Sequence, residues 1–231
     1  MRLHRFIGNF DLNKKEVKIT NPENIKQIKG VLRLEEGDKL ILCDGKGIET
    51  EVVISFLSHN EIICKIEKRI ETKEPKRKVY LYLAILKKEN FEIAVQKSVE
   101  CGVSCIIPTI TERTVKTGLN TERIEKIIRE ASEQSGRSVV PELLDTMNFQ
   151  NALEHGKNKN EKVIFHLVDT EYRPDKNAKE IAIFVGPEGG FSEKEITLAK
   201  EYDYTVASLG SLTLRGETAG IIATYRAVQG I

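Results

Sequence analysis

Two glycine-bearing segments contain the residue types that are best suited to bind a small ligand. The segment FVGPEGGFSEKEI, residues 184–196, runs from apolar residues through a glycine-rich turn into the start of a helix. Glycines at such a strand-to-helix turn let a ligand come close to the backbone. The segment LGSLTLRGETAG, residues 209–220, also follows an apolar run and leads into a helix that opens with Glu217. Two loops of this kind, each at the end of a buried strand, predict one shared pocket.

The chemistry of the first loop argues against a phosphate ligand. A phosphate-binding P-loop has Lys and Ser or Thr after its last glycines, whereas this loop has Glu188 and no basic residue beside it. Ser192 and Glu195 form a predicted capping box, and Glu193 lies in the first helical turn. The helix's own residues therefore already bond its first N–H groups and largely offset the positive end of its dipole. We therefore predict a neutral or cationic ligand that backbone groups hold. For this loop alone, a tight turn without a ligand is the alternative interpretation.

The elements that must position these loops change in character near residue 72. The first part of the chain contains short β-rich runs and one helix, which begins at the N-cap Asn21 and ends near Gly30. The runs are LHRFIG, EVKI, KLILCD, IETEVVISFL and EIICKIEKRI, which together predict a small β-barrel.

After the predicted linker TKEPKRK, strands and helices alternate. The predicted strands are VYLYLAIL, VSCIIP, KVIFHLV, EIAIFV and YTVASLG. The predicted helices between and after them are ENFEIAVQKSVECG, residues 121–136, FQNALEHG, a helix after Ser192, and ETAGIIATYRAVQ. This alternation predicts an α/β domain with a parallel sheet, helices on both faces and a ligand site at the carboxyl ends of the strands.

The composition is that of an ordinary globular protein. The chain has 231 residues, of which 40% are hydrophobic, and a formal net charge of +1, so composition alone does not indicate a nucleic-acid-binding protein. No apolar run reaches the length of a membrane span and the first ten residues lack the apolar core of a signal peptide, so we expect a cytoplasmic protein. Cys43, Cys64, Cys101 and Cys105 lack zinc-type spacing, and we predict reduced thiols and no metal site.

The distribution of charge is more informative than its sum. Eight Lys or Arg residues lie between Lys68 and Lys88, against only Glu71 and Glu74. One interpretation is a solvated linker, and the other is a stripe of residues that contacts phosphates beside a site.

Several blocks of the sequence together resemble one known family. These blocks are GPEGGFSEKE, LGSLTLRGETA, VQKSVECGVSCIIPTITER and EASEQSGRSVVPE, with HRF and VLRLEEGDKL in the first part of the chain. They resemble the RsmE family, which methylates N3 of a uridine in 16S ribosomal RNA. The resemblance covers essentially the whole chain, with the blocks in the family's order.

The resemblance implies two domains, an N-terminal PUA-like β-barrel that binds RNA (residues 1–72) and a C-terminal SPOUT methyltransferase domain (residues 73–231). In that class the last part of the chain forms a deep trefoil knot and binds S-adenosylmethionine, and two copies form a homodimer with the active site near their interface. The implied substrate is 16S ribosomal RNA in the small ribosomal subunit. The residues that would contact the donor are Leu167, Gly186, Pro187, Glu188, Gly189, Gly190, Leu209, Gly210, Leu212, Leu214, Arg215, Glu217 and Thr218.

Arg215 is our catalytic candidate, because an arginine beside the base would stabilise negative charge on the uridine oxygens. The alternative role for Arg215 is a salt bridge with Glu217 or another acid. The residues predicted to bind RNA are His4, Arg5, Arg33, Lys87, Arg113, Gln134 and Arg137. For Arg113, Gln134 and Arg137, hydrogen bonds that organise the pocket are an equal alternative.

Two positions depart from the family's pattern. Leu212 and Gly216 stand where the family usually has arginine and threonine. Two other functions therefore stay open at the level of the sequence, a 2′-O-ribose methyltransferase of the same fold and a non-catalytic RNA-binding factor in ribosome assembly.

Overall fold

The computed structural model describes residues 3–115 and 117–231, except for the side chain of Lys88. The chain divides into two compact units. The first contains the residues up to Glu74 together with Ser132–Val140, and the second contains Pro75–Ala131 and Pro141–Ile231.

The first unit is built on a five-stranded sheet with the order β1-β3-β4-β5-β2. The strands are β1 (Arg5–Ile7), β2 (Glu16–Ile19), β3 (Lys39–Cys43), β4 (Glu49–Leu57) and β5 (Ile62–Ile70). β1 pairs with β3 in parallel, and the other neighbours are antiparallel. Apolar side chains from these strands form one buried core, which includes Phe6, Ile19, Leu40, Leu42 and Ile54. The predicted β-rich runs are confirmed.

The helix predicted in this part of the chain begins as its sequence predicts. Asn21 Oδ1 accepts hydrogen bonds from the backbone N–H groups of Glu23 (2.9 Å) and Asn24 (3.2 Å), so Asn21 is the N-cap of α1 (Pro22–Lys26). A π-helical turn, Gln27–Val31, continues it.

The second unit contains a parallel sheet with the order β12-β10-β11-β6-β7-β8, and β9 pairs with β7. Its strands are β6 (Lys78–Ala84), β7 (Cys105–Ile110), β8 (Glu142–Leu143), β9 (Met147–Asn148), β10 (Glu161–Phe165), β11 (Glu180–Val185) and β12 (Thr205–Ala207). Its helices are α2 (Lys88–Cys101), α3 (Thr121–Ser135), α4 (Phe149–Gly156), α5 (Glu193–Glu201) and α6 (Gly216–Gln229). All pairs in this sheet are parallel, which confirms the α/β prediction. β8 and β9 were not predicted, because two residues are too few to show a periodic pattern.

Helices cover both faces of this sheet. On one face, the Tyr82 and Phe184 rings stack with their centroids 4.3 Å apart and pack against α4 through Phe149. On the other face, Leu83 approaches α6, where a β-carbon at Gly220 would lie 3.5 Å from Leu83 Cδ1. The central strands are therefore buried on both sides, as a parallel sheet requires.

No helix among the described residues is both long enough and apolar enough to cross a membrane.

The basic stretch between Lys68 and Lys88 is not uniformly solvated, because Arg77 is buried and bonds to Glu161 Oε2 (3.0 Å) and the Asp175 carbonyl oxygen (2.9 Å). The side chain of Lys88 lies outside the described part of the chain.

Candidate functional site

A cavity of about 730 Å³ lies at the carboxyl ends of β10, β11 and β12. These ends lie side by side, because Phe165 is in register with Val185 on one neighbour and with Ala207 on the other. The loop after each strand contributes to the wall, with Lys87, Asn90 and Arg113 completing it. The volume is in the range of small-molecule sites. The predicted position of the pocket is confirmed.

The glycine loop, residues 186–190, forms one wall of this cavity. Gly190 closes its turn with a hydrogen bond from its N–H to the Pro187 carbonyl oxygen (2.8 Å) and has a φ of +67°, which side chains disfavour. A β-carbon at Gly186 would lie 3.1 Å from the Phe191 ring. These two glycines are therefore required by the turn and by close packing, whether or not a ligand is bound.

The helix that follows is capped as predicted. Glu195 Oε2 accepts from the Ser192 N–H (2.9 Å), and Ser192 Oγ accepts from the Glu195 N–H (3.3 Å), which completes the capping box. The other carboxylate oxygen of Glu195, a buried residue, accepts from the Glu112 N–H (2.8 Å). The same side chain thus caps α5 and anchors the segment after β7.

Arg113 contacts the glycine loop through its side chain. Its Nη1 donates to the Gly189 carbonyl oxygen (2.7 Å), and a β-carbon at Gly189 would lie 3.4 Å from both Cβ and Cδ of Arg113. The Lys87 N–H donates to Glu188 Oε1 (3.1 Å) on the same loop. We call Glu112 and Arg113 the strap. Of the two roles left open for Arg113, this geometry favours organisation of the pocket.

The loop after β12 forms another part of the wall. Gly210 has a φ of +141°, and Leu212 is 78% exposed at the cavity. A β-carbon at Gly216 would lie only 2.7 Å from Leu86 Cδ2. Leu86 thus occupies the space that a threonine side chain would need, which is a physical reason for glycine at this position.

Arg215 and Glu217 lie at the start of α6 and both line the cavity. The two side chains form no ion pair with each other, and within the described residues Arg215 has no acidic partner, so this geometry does not support the salt-bridge alternative for Arg215. Glu217 Oε2 is buried and has no hydrogen-bond partner in the described part of the chain. A buried carboxylate oxygen without a partner is costly unless a ligand satisfies it.

The cavity brings together the residues predicted to contact the donor, except Thr218, which is not among the lining residues. Sequence reasoning did not identify Asn90, which lines the cavity from the first turn of α2. No motif marks this asparagine. Among the described residues, no group of three or more His, Cys, Asp or Glu side chains is placed to bind a metal ion.

The residues predicted to bind RNA divide into three groups. Lys87 and Arg113 are exposed at the cavity, and His4, Arg33 and Gln134 are exposed in the first unit. The remaining two, Arg5 and Arg137, are largely buried in ion pairs within the first unit.

Both of these arginines have an internal partner. Arg5 donates to both carboxylate oxygens of Glu49 (2.7 and 3.1 Å), and Arg137 donates to Glu74 Oε2 (3.2 Å). Because these guanidinium groups are occupied and shielded from solvent, their geometry favours structural roles over phosphate contacts.

Comparisons with known proteins agree with this geometry. The model of the RNA methyltransferase domain matches residues 72–228, and that of the RNA methyltransferase PUA domain matches residues 19–67. The chain is 31% identical to the ribosomal RNA small subunit methyltransferase E of Rickettsia conorii over 219 residues, which cover 90% of this chain and 87% of the relative. This chain belongs to the ribosomal RNA small subunit methyltransferase E family.

Other members of the family support the same assignment. The relative from Bacillus subtilis is 31% identical over 87% of this chain and 85% of its own length. The solved structure of the family member from Neisseria gonorrhoeae, bound to S-adenosylmethionine, has a TM-score of 0.89 and 30% identity, over 96% of this chain and 95% of that one. The PUA-like first part and the α/β methyltransferase fold are therefore confirmed, whereas the knot stays a prediction.

Proposed function

We propose that this protein transfers a methyl group from S-adenosylmethionine to N3 of a specific uridine in 16S ribosomal RNA of the small ribosomal subunit. The observation that carries the proposal is the cavity of about 730 Å³ between two glycine-bearing loops, in a chain that belongs to this family.

The residues present fit this donor. S-adenosylmethionine carries a sulfonium cation, an amino group and ribose hydroxyls, and it has no phosphate. Backbone groups of residues 186–190 and 209–214 would hold it, as would the buried Glu217 Oε2, which needs a partner that donates a hydrogen bond. The absence of a P-loop and the satisfied start of α5 agree with a ligand without phosphate.

When bound, S-adenosylmethionine supplies an electrophilic methyl group. Uridine N3 carries a proton at neutral pH, so the protein must favour the base in its deprotonated form. The Arg215 guanidinium lies at the cavity without an acidic partner in the described chain, and we assign it the stabilisation of negative charge on the uridine oxygens. The fixed walls of the cavity would supply the remaining rate acceleration by positioning the two reactants.

Three further properties belong to this proposal. We propose that the chain works as a homodimer, and the half-exposed apolar side chains of Ile93 on α2 and Tyr225 on α6 support this. We propose a cytoplasmic location, because ribosomal RNA is the substrate. We also propose that residues 1–72 act as the RNA-binding domain and residues 73–231 as the methyltransferase domain.

The test uses purified protein, isotope-labelled S-adenosylmethionine and small ribosomal subunits from a strain that lacks the modification. After the reaction, the RNA is digested and its nucleosides are identified by mass spectrometry. Labelled N3-methyluridine is the expected product. A ribose-methylated nucleoside would assign the protein to a different reaction, and the absence of donor binding by calorimetry would leave an RNA-binding protein without catalysis.

A further inference from the structure

A concavity of about 480 Å³ lies in the first unit, far along the chain from the methyltransferase cavity, and half of its eight lining residues are basic. Residues 12–16 form one side of it, and Lys65, Ile66 and Arg69 of β5 form the other. We call it the basic concavity and define it by Lys14, Lys15, Lys65 and Arg69.

The basic concavity is held together by specific contacts. The Ile66 N–H donates to the Lys15 carbonyl oxygen (3.0 Å), which extends the β2–β5 ladder beyond Glu16. Arg69 Nη2 donates to Asn13 Oδ1 (2.8 Å). These two bonds dock the segment before β2 onto β5, so the basic side chains project from a fixed backbone.

The charges of the basic concavity differ from those on the rest of the sheet. At other positions on the strands of this sheet, basic side chains pair with glutamates, for example Lys39 with Glu51 (3.1 Å) and Glu67 (2.5 Å) and Lys18 with Glu61 (3.4 Å). In the basic concavity, Lys14 pairs with Asp11 (3.0 Å), whereas Lys15 and Lys65 are exposed and have no acidic partner among the described residues.

Arg69 likewise donates to an amide and to no described carboxylate. Glu16 is the single acid in the lining, which leaves an excess of positive charge. An excess of cations over acids on a concave surface is an electrostatic site for an anion.

We infer that the basic concavity binds the phosphodiester backbone of the ribosomal RNA substrate. The inference rests on the proposed function, which supplies RNA as the ligand. The eight lining residues include no aromatic side chain, so stacking on bases is not provided there, and the contacts would be to phosphates. Such contacts contribute affinity and orientation but do not recognise the nucleotide sequence of the RNA. These residues differ from the RNA contacts that the sequence predicted in this unit, His4, Arg5 and Arg33. Of those three, Arg5 forms an ion pair with Glu49.

The test compares two double variants with equal changes in charge. Lys15→Gln/Lys65→Gln removes two cations of the basic concavity, and Lys26→Gln/Lys46→Gln removes two exposed lysines that do not line it. Affinity for small ribosomal subunits is measured at several salt concentrations with constant magnesium. Affinity for S-adenosylmethionine and thermal unfolding are measured on the same proteins.

The target variant is expected to bind about 25-fold more weakly at 0.1 M salt, with a salt slope reduced by about 1.4. Each lost phosphate contact lowers the slope by about 0.7, which corresponds to about 0.7 of a power of ten in affinity between about 1 M and 0.1 M salt. The control variant should change by less than about threefold and keep its slope. If the wild type methylates RNA and both double variants lose affinity for the subunits equally, or neither loses any, the inference is wrong. If the wild type binds the donor but neither binds nor methylates the subunits, the proposed function fails as well. The wild type's activity on RNA therefore distinguishes failure of the inference from failure of the proposed function.

Discussion

The hydrogen bond from Arg113 to Gly189 leads to a prediction about donor affinity. Arg113→Ala removes this bond of 2.7 Å and the side-chain carbons that lie over Gly189. A hydrogen bond to a charged group contributes about 1.5 to 3 kcal/mol, and for an exposed arginine we take about 1 kcal/mol. Because the released loop must be ordered again when the donor binds, we expect roughly fivefold weaker donor binding.

Calorimetry measures the donor dissociation constant, and steady-state kinetics separate KM for the donor from kcat. For Arg113→Ala we expect both the dissociation constant and KM for S-adenosylmethionine to rise about fivefold, with RNA affinity and its salt slope unchanged. The matched control is Arg123→Ala. Arg123 is also exposed and pairs with Glu92 (2.6 Å), but it does not line the cavity, so donor affinity should stay within about twofold.

Arg113→Lys distinguishes the strap from a phosphate contact. Lysine keeps the charge but loses the planar fork that reaches the Gly189 carbonyl oxygen, so we expect only partial recovery of donor affinity. If Arg113→Ala leaves donor affinity unchanged but weakens RNA binding, and Arg113→Lys restores RNA binding, the strap interpretation is wrong and Arg113 contacts RNA.

Three other changes test particular contacts. Gly216→Thr is expected to lower the free energy of unfolding in denaturant by about 1 to 3 kcal/mol, because its β-carbon would lie 2.7 Å from Leu86 Cδ2. Adding Leu86→Val should recover part of this loss. If the two changes instead lower the free energy of unfolding additively, the predicted contact is wrong. Arg215→Ala should lower kcat about 100-fold, with a smaller effect on donor affinity, in the labelled-methyl assay; an unchanged kcat would remove Arg215 from catalysis. Burial raises the pKa of Glu74, but the Val139 N–H, the Arg137 charge and hydrogen bonds from Ser138 outweigh it and lower that pKa below 4.5. The resulting stability is therefore present above pH 4.5 and lost as pH falls through the lowered pKa, and Glu74→Gln should reduce this acid dependence in denaturation series from about pH 6 to pH 3.

Local patterns were sufficient for the elements and for the outline of the site. The Ser192–Glu195 capping box and the Asn21 N-cap involve residues two or three positions apart, so their geometry follows from the order of side chains. The alternation of strands and helices predicted the parallel sheet, because a βαβ connection leaves few other arrangements. Since the carboxyl ends of parallel strands share one edge, the two glycine-bearing loops were correctly expected in one cavity.

Tertiary structure decided which polar side chains are available at a surface. From the sequence, Arg5 and Arg113 were both predicted to bind RNA. In the structure, Arg5 bonds to Glu49, which lies 44 residues away, and Arg113 bonds to Gly189, which lies 76 residues away. Leu86 likewise fills the space beside Gly216. Such partners depend on strand register and on packing between distant segments, and a sequence pattern does not encode them locally. The sequence by itself therefore determined the family, the order of elements and the two loops of the cavity, whereas only the tertiary structure decided which charges are neutralised and which remain free to meet a ligand.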